Sequence, residues 1–261
     1  MTVLPRLVAF DLDDTLAPSK SPLNPRMAEL LVRLLEVAEV CVISGGQFAQ
    51  FQMQVIDKLT DVRPEALARL HLMPTCGTQY YRHHDNIWNQ IYAENLSFDE
   101  GSRALVAVET AAKQLGFWEG ETWGPILEDR GSQITFSALG QQAPVAAKVA
   151  WDPTGDKKNL LRGAVAALLP DLEVRSGGST SVDITRRGID KAYGMTRLAE
   201  LADTPLEDML FIGDRLDETG NDYPVKALGV RCVAVEGWED TASYLETLIP
   251  ELTAALPAST V

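Results

Sequence analysis

Cysteine, histidine and basic residues are all scarce in this chain of 261 residues, and each shortage removes a class of function. The three cysteines, Cys41, Cys76 and Cys232, are widely spaced and form no CxxC pair. That argues against both a disulfide framework and a thiolate zinc site, and suits a reducing cytoplasm. Lys and Arg number 23 against 37 Asp and Glu, a formal net charge of −14, and no basic tract interrupts the acidic surplus. Such a chain repels nucleic acid and anionic lipid, so neither is expected as a partner. No run of about 18 uncharged apolar residues occurs, and Met1 to Phe10 lacks a basic stretch followed by a long apolar one. The sequence therefore reads as soluble, unexported and cytoplasmic. Of the three histidines, His83 and His84 fall as neighbours on a polar turn and point in different directions, which suits exposed turn residues better than ligands. No repeat or low-complexity linker is visible.

What is present builds a core. Hydrophobic residues make up 46% of the chain, enough for one large or two small domains. Arg6 to Phe10 is a short apolar run ending in carboxylates, as expected of a buried parallel strand. Asn24-Pro25 supplies an N-cap and an N1 proline for an amphipathic helix through Ala38. Val40 to Ile43 predicts a second buried strand, and Phe48, Phe51, Val55 and Leu59 another helix. Strand and helix in alternation predict a doubly wound α/β fold with a Rossmann-like parallel sheet.

From about residue 78 the pattern becomes α+β. An antiparallel hairpin is expected over 78–92, a helix with a Ser97/Glu100 capping box, a strand at 134–139, a helix at 156–169, and strands at 172–175 and 181–185. Beyond Gly188 the parallel style returns, with strands at 209–212 and 231–235 and helices from Asp190 and near Trp238. The expected division is thus a core of 1–81 and 186–261, split by an inserted α+β domain of 82–185. Trp88, Trp118, Trp123 and Trp151 all fall in that insert, where a tryptophan can stack on a sugar, but most of them are expected to be core of the insert.

Two acidic loops carry the chemistry. Asp11-Leu-Asp13-Asp14-Thr15 follows the first strand, and Gly213-Asp214 to Asn221-Asp222 follows the strand 209–212. Both strand ends face one crevice in an open α/β sheet, and carboxylates clustered there repel unless a hard divalent cation compensates. Ser44, on a Gly-rich turn, and Lys191, at a helix start, lie between them in sequence. A hydroxyl and an ammonium beside a metal-bound carboxylate are what a transferring phosphoryl group needs for its equatorial oxygens.

In this combination the sequence resembles the haloacid dehalogenase superfamily of phosphotransferases, through DLDDT with Asp11 and Asp13, then Ser44, Lys191, and Asp214 with Asn221 and Asp222. The resemblance implies that Asp11 attacks phosphorus to form an aspartyl-phosphate while Asp13 protonates the leaving oxygen and later activates its replacement. It implies Mg²⁺ held by Asp11, the carbonyl of Asp13 and Asp214, with Asn221 and Asp222 in support. The insert between Ser44 and Lys191 resembles the type C2B cap that closes over phosphorylated sugars.

Within that superfamily the chain is most similar to eukaryotic phosphomannomutases, through GDRLDETGND and Ser181-Val-Asp183 followed by Gly188-Ile-Asp190-Lys191. On this resemblance Ser181 and Asp183 hold sugar hydroxyls, and Arg130 and Lys148 grip the phosphate that does not react. The chain departs from the family at three positions. Gln141 stands where the family carries a phosphate-binding arginine, and Lys20 and Lys148 each replace an arginine. Lysine lacks the bidentate fork and glutamine lacks the charge, so a second phosphate is held less firmly. Ser44, a glycine in the mutases, resembles the phosphatases. The expectation is a phosphatase acting on a phosphorylated sugar, with phosphomannomutase as first alternative and a sugar-phosphate-binding pseudoenzyme as second; a homodimer is left open.

Overall fold

A computed structural model describes residues 4–60, 62–177 and 180–256. Its elements run Leu7–Phe10 (β1), Pro25–Leu35 (α1), Glu39–Ile43 (β2), Phe48–Gln54 (α2), Pro64–Leu67 (α3), Leu70–Met73 (β3), Gln79–His84 (β4) and Ile87–Ala93 (β5). Next come Phe98–Gln114 (α4), Leu127–Asp129 (β6), Ile134–Ser137 (β7), Val145–Trp151 (α5), Asp156–Leu168 (α6), Leu172–Ser176 (β8) and Ser181–Arg186 (β9). The chain ends with Lys191–Leu201 (α7), Met209–Gly213 (β10), Tyr223–Ala227 (α8), Arg231–Ala234 (β11) and Trp238–Ala255 (α9). Two compact units result, Met1–Tyr92 with Asp190–Val261, and Ala93–Ile189.

The first unit is an α/β sandwich on a seven-stranded sheet of order β11-β10-β1-β2-β3-β4-β5. The central strands are parallel, and every residue of β1 and β10 is buried, as strands covered on both faces must be. Alternation sorts their side chains. Val8, Phe10, Val40, Val42, Leu210 and Ile212 face a core shared with α1, α2 and α9. Leu7, Ala9, Cys41, Ile43, Met209 and Phe211 face the opposite one, with Met195 and Leu198 of α7 and Val225 of α8. In α1 the Asn24 side chain accepts from the Arg26 amide, and Met27, Leu30, Leu31, Leu34 and Leu35 are buried along one face.

Several boundaries differ from the sequence expectation. The hairpin β4–β5 is not part of the insert. It pairs antiparallel onto β3, His71↔Arg82 and Leu72↔Tyr81, so the first unit runs to Tyr92 and the second begins at Ala93 rather than at 82. Trp88 accordingly packs against the first unit's core, whereas Trp118 and Trp151 pack in the second. Trp123 stays 47% exposed. The helix expected to reach Leu59 stops at Gln54, and α9 continues through Pro250 to Ala255.

The second unit has a four-stranded sheet of order β6-β7-β9-β8, with antiparallel pairings throughout. One face carries Ile134, Phe136, Val182, Ile184, Leu172 and Val174, packed with Ala104, Ala107, Val108 and Ala111 of α4 and Leu161 and Val165 of α6. The other carries Thr135 opposite Asp183 and Ser137 opposite Ser181.

A buried polar group lies at the other end of the first sheet from the acidic loops. His71, fully buried, meets the Tyr80 hydroxyl through Nδ1 at 2.8 Å and Glu39 Oε2 through Nε2 at 2.9 Å. Glu39 accepts, so the neutral ring donates at Nε2 and accepts at Nδ1. Burial lowers the His71 pKa from its ordinary 6.5 against the raising effect of the Glu39 hydrogen bond, and Arg82 lowers it further. The unfolded chain therefore takes up this proton at a higher pH than the fold does. Stability present above pH 6.5 is lost as the pH falls below it, at most about 1.4 kcal/mol per pH unit. Urea midpoints between pH 6.5 and 5 are expected to fall more steeply for the wild type than for His71→Gln, and parallel slopes would remove His71 as the cause.

Candidate active site

The strand register fixes where the acids gather. Phe10 pairs with Ile212, and the Asp11 amide donates to the Ile212 carbonyl at 3.0 Å, so Asp11 and Asp214 leave the sheet side by side at the C-terminal ends of β1 and β10. Lys191 arrives from the start of α7, where the Asp190 side chain accepts from the Tyr193 amide. Its ammonium is 1% exposed and bridges two carboxylates, 2.6 Å from Asp11 Oδ1 and 2.5 Å from Asp222 Oδ1. Asp222 is fully buried and accepts from the Arg215 amide through Oδ2 at 3.1 Å. The loop 214–222 can close this way because glycines stand at its tight points. A Cβ on Gly213 would meet Asp222 Oδ2 at 2.4 Å, and one on Gly220 would meet the Arg215 carbonyl at 1.9 Å.

Oxygens of Asp11, Asp214 and Asp222 lie within 4.8 Å of one another. Burial pushes the Asp11 carboxyl well above the usual carboxylate range, against the pull of Lys191 and with Asp222 adding repulsion. Asp214 is raised by burial and by Asp222. Burial works against the Lys191 charge too, but the carboxylates of Asp11 and Asp222 outweigh it and hold the ammonium protonated. Fully ionised, the three carboxylates and one ammonium would sum to −2, and the raised Asp11 and Asp214 carboxyls show how strongly that charge is resisted until a divalent cation with hard oxygen ligands balances it. The residues present thus fit Mg²⁺.

Lys191→Met leaves Asp11 and Asp222 buried without their shared cation. Removing one partner of a buried pair costs about 3–5 kcal/mol, and a drop of that order in metal-free unfolding stability is expected from urea titration at pH 7. A loss under about 1 kcal/mol, the scale of an exposed pair, would mean that the ammonium does not hold the two acids together.

The other residues singled out in the sequence separate by unit. Ser44 sits at the end of β2, 6% exposed, its Oγ accepting from the Gly46 amide at 3.3 Å. Asp13 accepts the Lys20 amide at 2.8 Å, so Lys20 reaches this loop through its backbone. Asn221 is exposed on the loop beside Asp222. Arg130, Gln141, Lys148, Ser181 and Asp183 belong to the second unit. There Ser181 and Asp183 share a face of β9, bonded to Ser137 at 2.8 Å and Thr135 at 2.7 Å. Arg130 donates to Glu128 Oε2 from Nε at 3.0 Å and from a terminal nitrogen at 2.7 Å, and Gln141 is 8% exposed.

Sequence reasoning missed Gln50 and Gln54. Both donate side-chain N–H groups to Asp13, at 3.0 and 3.2 Å. The signal was there: they lie four apart on α2, and Gln54 follows Phe51 by three and precedes Val55 on the helix's apolar side, where a buried amide needs a polar partner.

Residues 27–251 match the family described as eukaryotic phosphomannomutase. A phosphomannomutase of Encephalitozoon cuniculi is 23% identical over 231 residues, covering 83% of this chain and 82% of that protein. The IMP-bound, N-terminally truncated IMP-nucleotidase of Plasmodium falciparum superposes with a TM-score of 0.70 at 13% identity, over 94% of this chain and 68% of its own. A haloacid dehalogenase-like hydrolase from Bacteroides thetaiotaomicron gives 0.59 at 16% identity, over 94% and 99%. With the family match spanning most of the chain, the protein is an enzyme that belongs to the eukaryotic phosphomannomutase family, and its fold is shared with haloacid dehalogenase-like hydrolases.

Proposed function

We propose that this enzyme transfers a phosphoryl group from a phosphorylated sugar through an aspartyl-phosphate on Asp11. The observation that carries the reading is Lys191 set between Asp11 and Asp222, 2.6 and 2.5 Å away, because it fixes one carboxylate at the strand end as a nucleophile. An Asp11 oxygen bonds to phosphorus as the bond from phosphorus to the sugar oxygen breaks, and Asp13 gives its proton to that oxygen. Asp13 then takes a proton from water as the water oxygen attacks phosphorus and the Asp11 oxygen leaves. Asp11, Asp214 and Asp222, with the Asp13 carbonyl and Asn221 beside them, would hold Mg²⁺, which when bound neutralises charge on the phosphoryl oxygens. Ser44 and Lys191 steady those oxygens, and Ser181 and Asp183 take sugar hydroxyls.

Hydrolysis is the reading we favour. The Arg130 guanidinium is already paired with Glu128, and Gln141 is a buried neutral amide. A second phosphate thus meets little net positive charge there beyond Lys148, and Lys20 is the remaining cation assigned to it. A mutase must grip that phosphate while a bisphosphate turns end for end, and must keep water from its aspartyl-phosphate. The second reading, hexose 1-phosphate/6-phosphate interconversion, is favoured by the family match over 27–251. Incubation with mannose 1-phosphate and with glucose 1-phosphate, each with and without the 1,6-bisphosphate, separates the two. Free phosphate is expected to outrun hexose 6-phosphate, and Gln141→Arg to shift the ratio toward the 6-phosphate. Predominant 6-phosphate once bisphosphate is present would establish the mutase instead.

A further inference from the structure

Three N–H groups converge on the carboxylate of Asp13. Oδ1 accepts the Lys20 amide at 2.8 Å and Gln54 Nε2 at 3.2 Å, and Oδ2 accepts Gln50 Nε2 at 3.0 Å. Two donors fill both lone pairs of Oδ1, whereas Oδ2 keeps one lone pair beyond its bond to Gln50 among the described residues.

Neither amide is placed casually. Gln54 Nε2 also donates to the Ser21 carbonyl at 2.7 Å, so turning the amide over would set its oxygen against two acceptors. Its Oε1 is accordingly buried with no hydrogen-bond partner, an arrangement tolerated only where the alternative is worse. The Gln50 amide lies over the turn that carries Ser44: a Cβ on Gly46 would meet Gln50 Oε1 at 2.3 Å, and the Gly46 amide itself donates to Ser44 Oγ. On the Asp13 side, Lys20 brings its amide into place with a φ of 55°, a left-handed conformation that a lysine seldom adopts.

We infer that Gln50 and Gln54 are positioning residues for Asp13: they saturate Oδ1 and leave Oδ2, oriented by Gln50, as the oxygen that hands the proton to the leaving group and takes one back from water. The inference rests on the phosphoryl-transfer reading of Asp11 and Asp13. It implies that the two glutamines matter in proportion to how much protonation the leaving oxygen needs, which a purely structural role would not produce.

Phenyl phosphate and p-nitrophenyl phosphate test this, since phenol leaves as a far more basic oxyanion than p-nitrophenol. kcat/KM reports the steps through phosphoenzyme formation, where the acid acts. Gln50→Met keeps the length and removes the donor. It is expected to lower kcat/KM for phenyl phosphate by about tenfold and for p-nitrophenyl phosphate by less than about threefold, a fraction of what a general acid supplies. Gln50→Lys restores a donor and should recover most of the loss. Gln54→Met should show the same selectivity, with circular dichroism reporting whether this buried variant folds; Gln50 lies nearer the surface and carries the test if it does not. Equal losses on both esters, or none, in Gln50→Met overturn the inference. Asp13→Asn is the reference: if it is selective for phenyl phosphate while Gln50→Met is not, only the positioning role fails. If Asp13→Asn lowers both esters alike, the acid role of Asp13 falls and the inference falls with it.

Discussion

Asp11→Asn is expected to lower phosphate-ester turnover by at least about 10⁴-fold, the scale on which removing a covalent nucleophile acts. The substitution keeps the shape of the side chain but exchanges a nucleophilic oxygen for an amide, and it takes one charge from the buried trio with Asp214 and Asp222. Lys191 retains Asp222 at 2.5 Å, so the fold should tolerate the change and the deficit should sit in chemistry. Phosphate release and intact-protein mass spectrometry are the measurements. The wild type should gain one phosphoryl mass under rapid quench with a good leaving group and Asp11→Asn none. Activity above a few per cent of wild type would exclude Asp11 as the nucleophile.

Chelation is expected to be nearly as severe. Without a divalent cation the site holds three carboxylates against one ammonium, and nothing neutralises the phosphoryl oxygens. EDTA should abolish turnover and Mg²⁺ restore it. A second readout needs no substrate: a ligand that binds only the folded state stabilises by about 2.7 kcal/mol at a hundred times its dissociation constant, so Mg²⁺ should raise the melting temperature of the wild type. Asp214→Asn should lose that increment. Full activity in chelator, or an equal thermal shift in Asp214→Asn, would contradict the site.

The parts of this molecule legible in sequence are those where a short-range pattern coincides with its structural cause. DLDDT and GDRLDETGND follow fully buried apolar strands, so carboxylates at strand ends could be read before any coordinates. Lys191 could be placed at a helix start, but only its combination with the acidic loops and the family resemblance singles it out from a surface charge. Other features depend on partners far along the chain. The hairpin β4–β5 looked like a hairpin, yet nothing local says that β4 joins β3 and not the insert's own sheet. β3 is four residues long with a histidine inside, and that histidine is buried only because Glu39 and Tyr80 meet it. Arg130 lies one residue beyond β6 and pairs back to Glu128 within it, where no pattern in the sequence marks a strand. That pair weakens the phosphate-binding role that the family resemblance assigns to Arg130.

The order of strands also bears on how the chain is made. β1 is synthesised some two hundred residues before its neighbour on one side, β10, with Leu7 paired to Met209. Until residue 209 and those after it leave the ribosome, the apolar run Leu7–Phe10 has one open edge and β2 alone on the other. The segment Ala93–Ile189, in contrast, is contiguous, and its sheet pairings all lie within it. It can therefore finish folding during synthesis while the larger unit waits for its last third. A bare, hydrophobic strand edge held open for that interval invites pairing with other chains. Nascent chains stalled before Met209 are thus the species most in need of a chaperone, and slowing translation upstream of β10 should cost yield more than slowing it after β11.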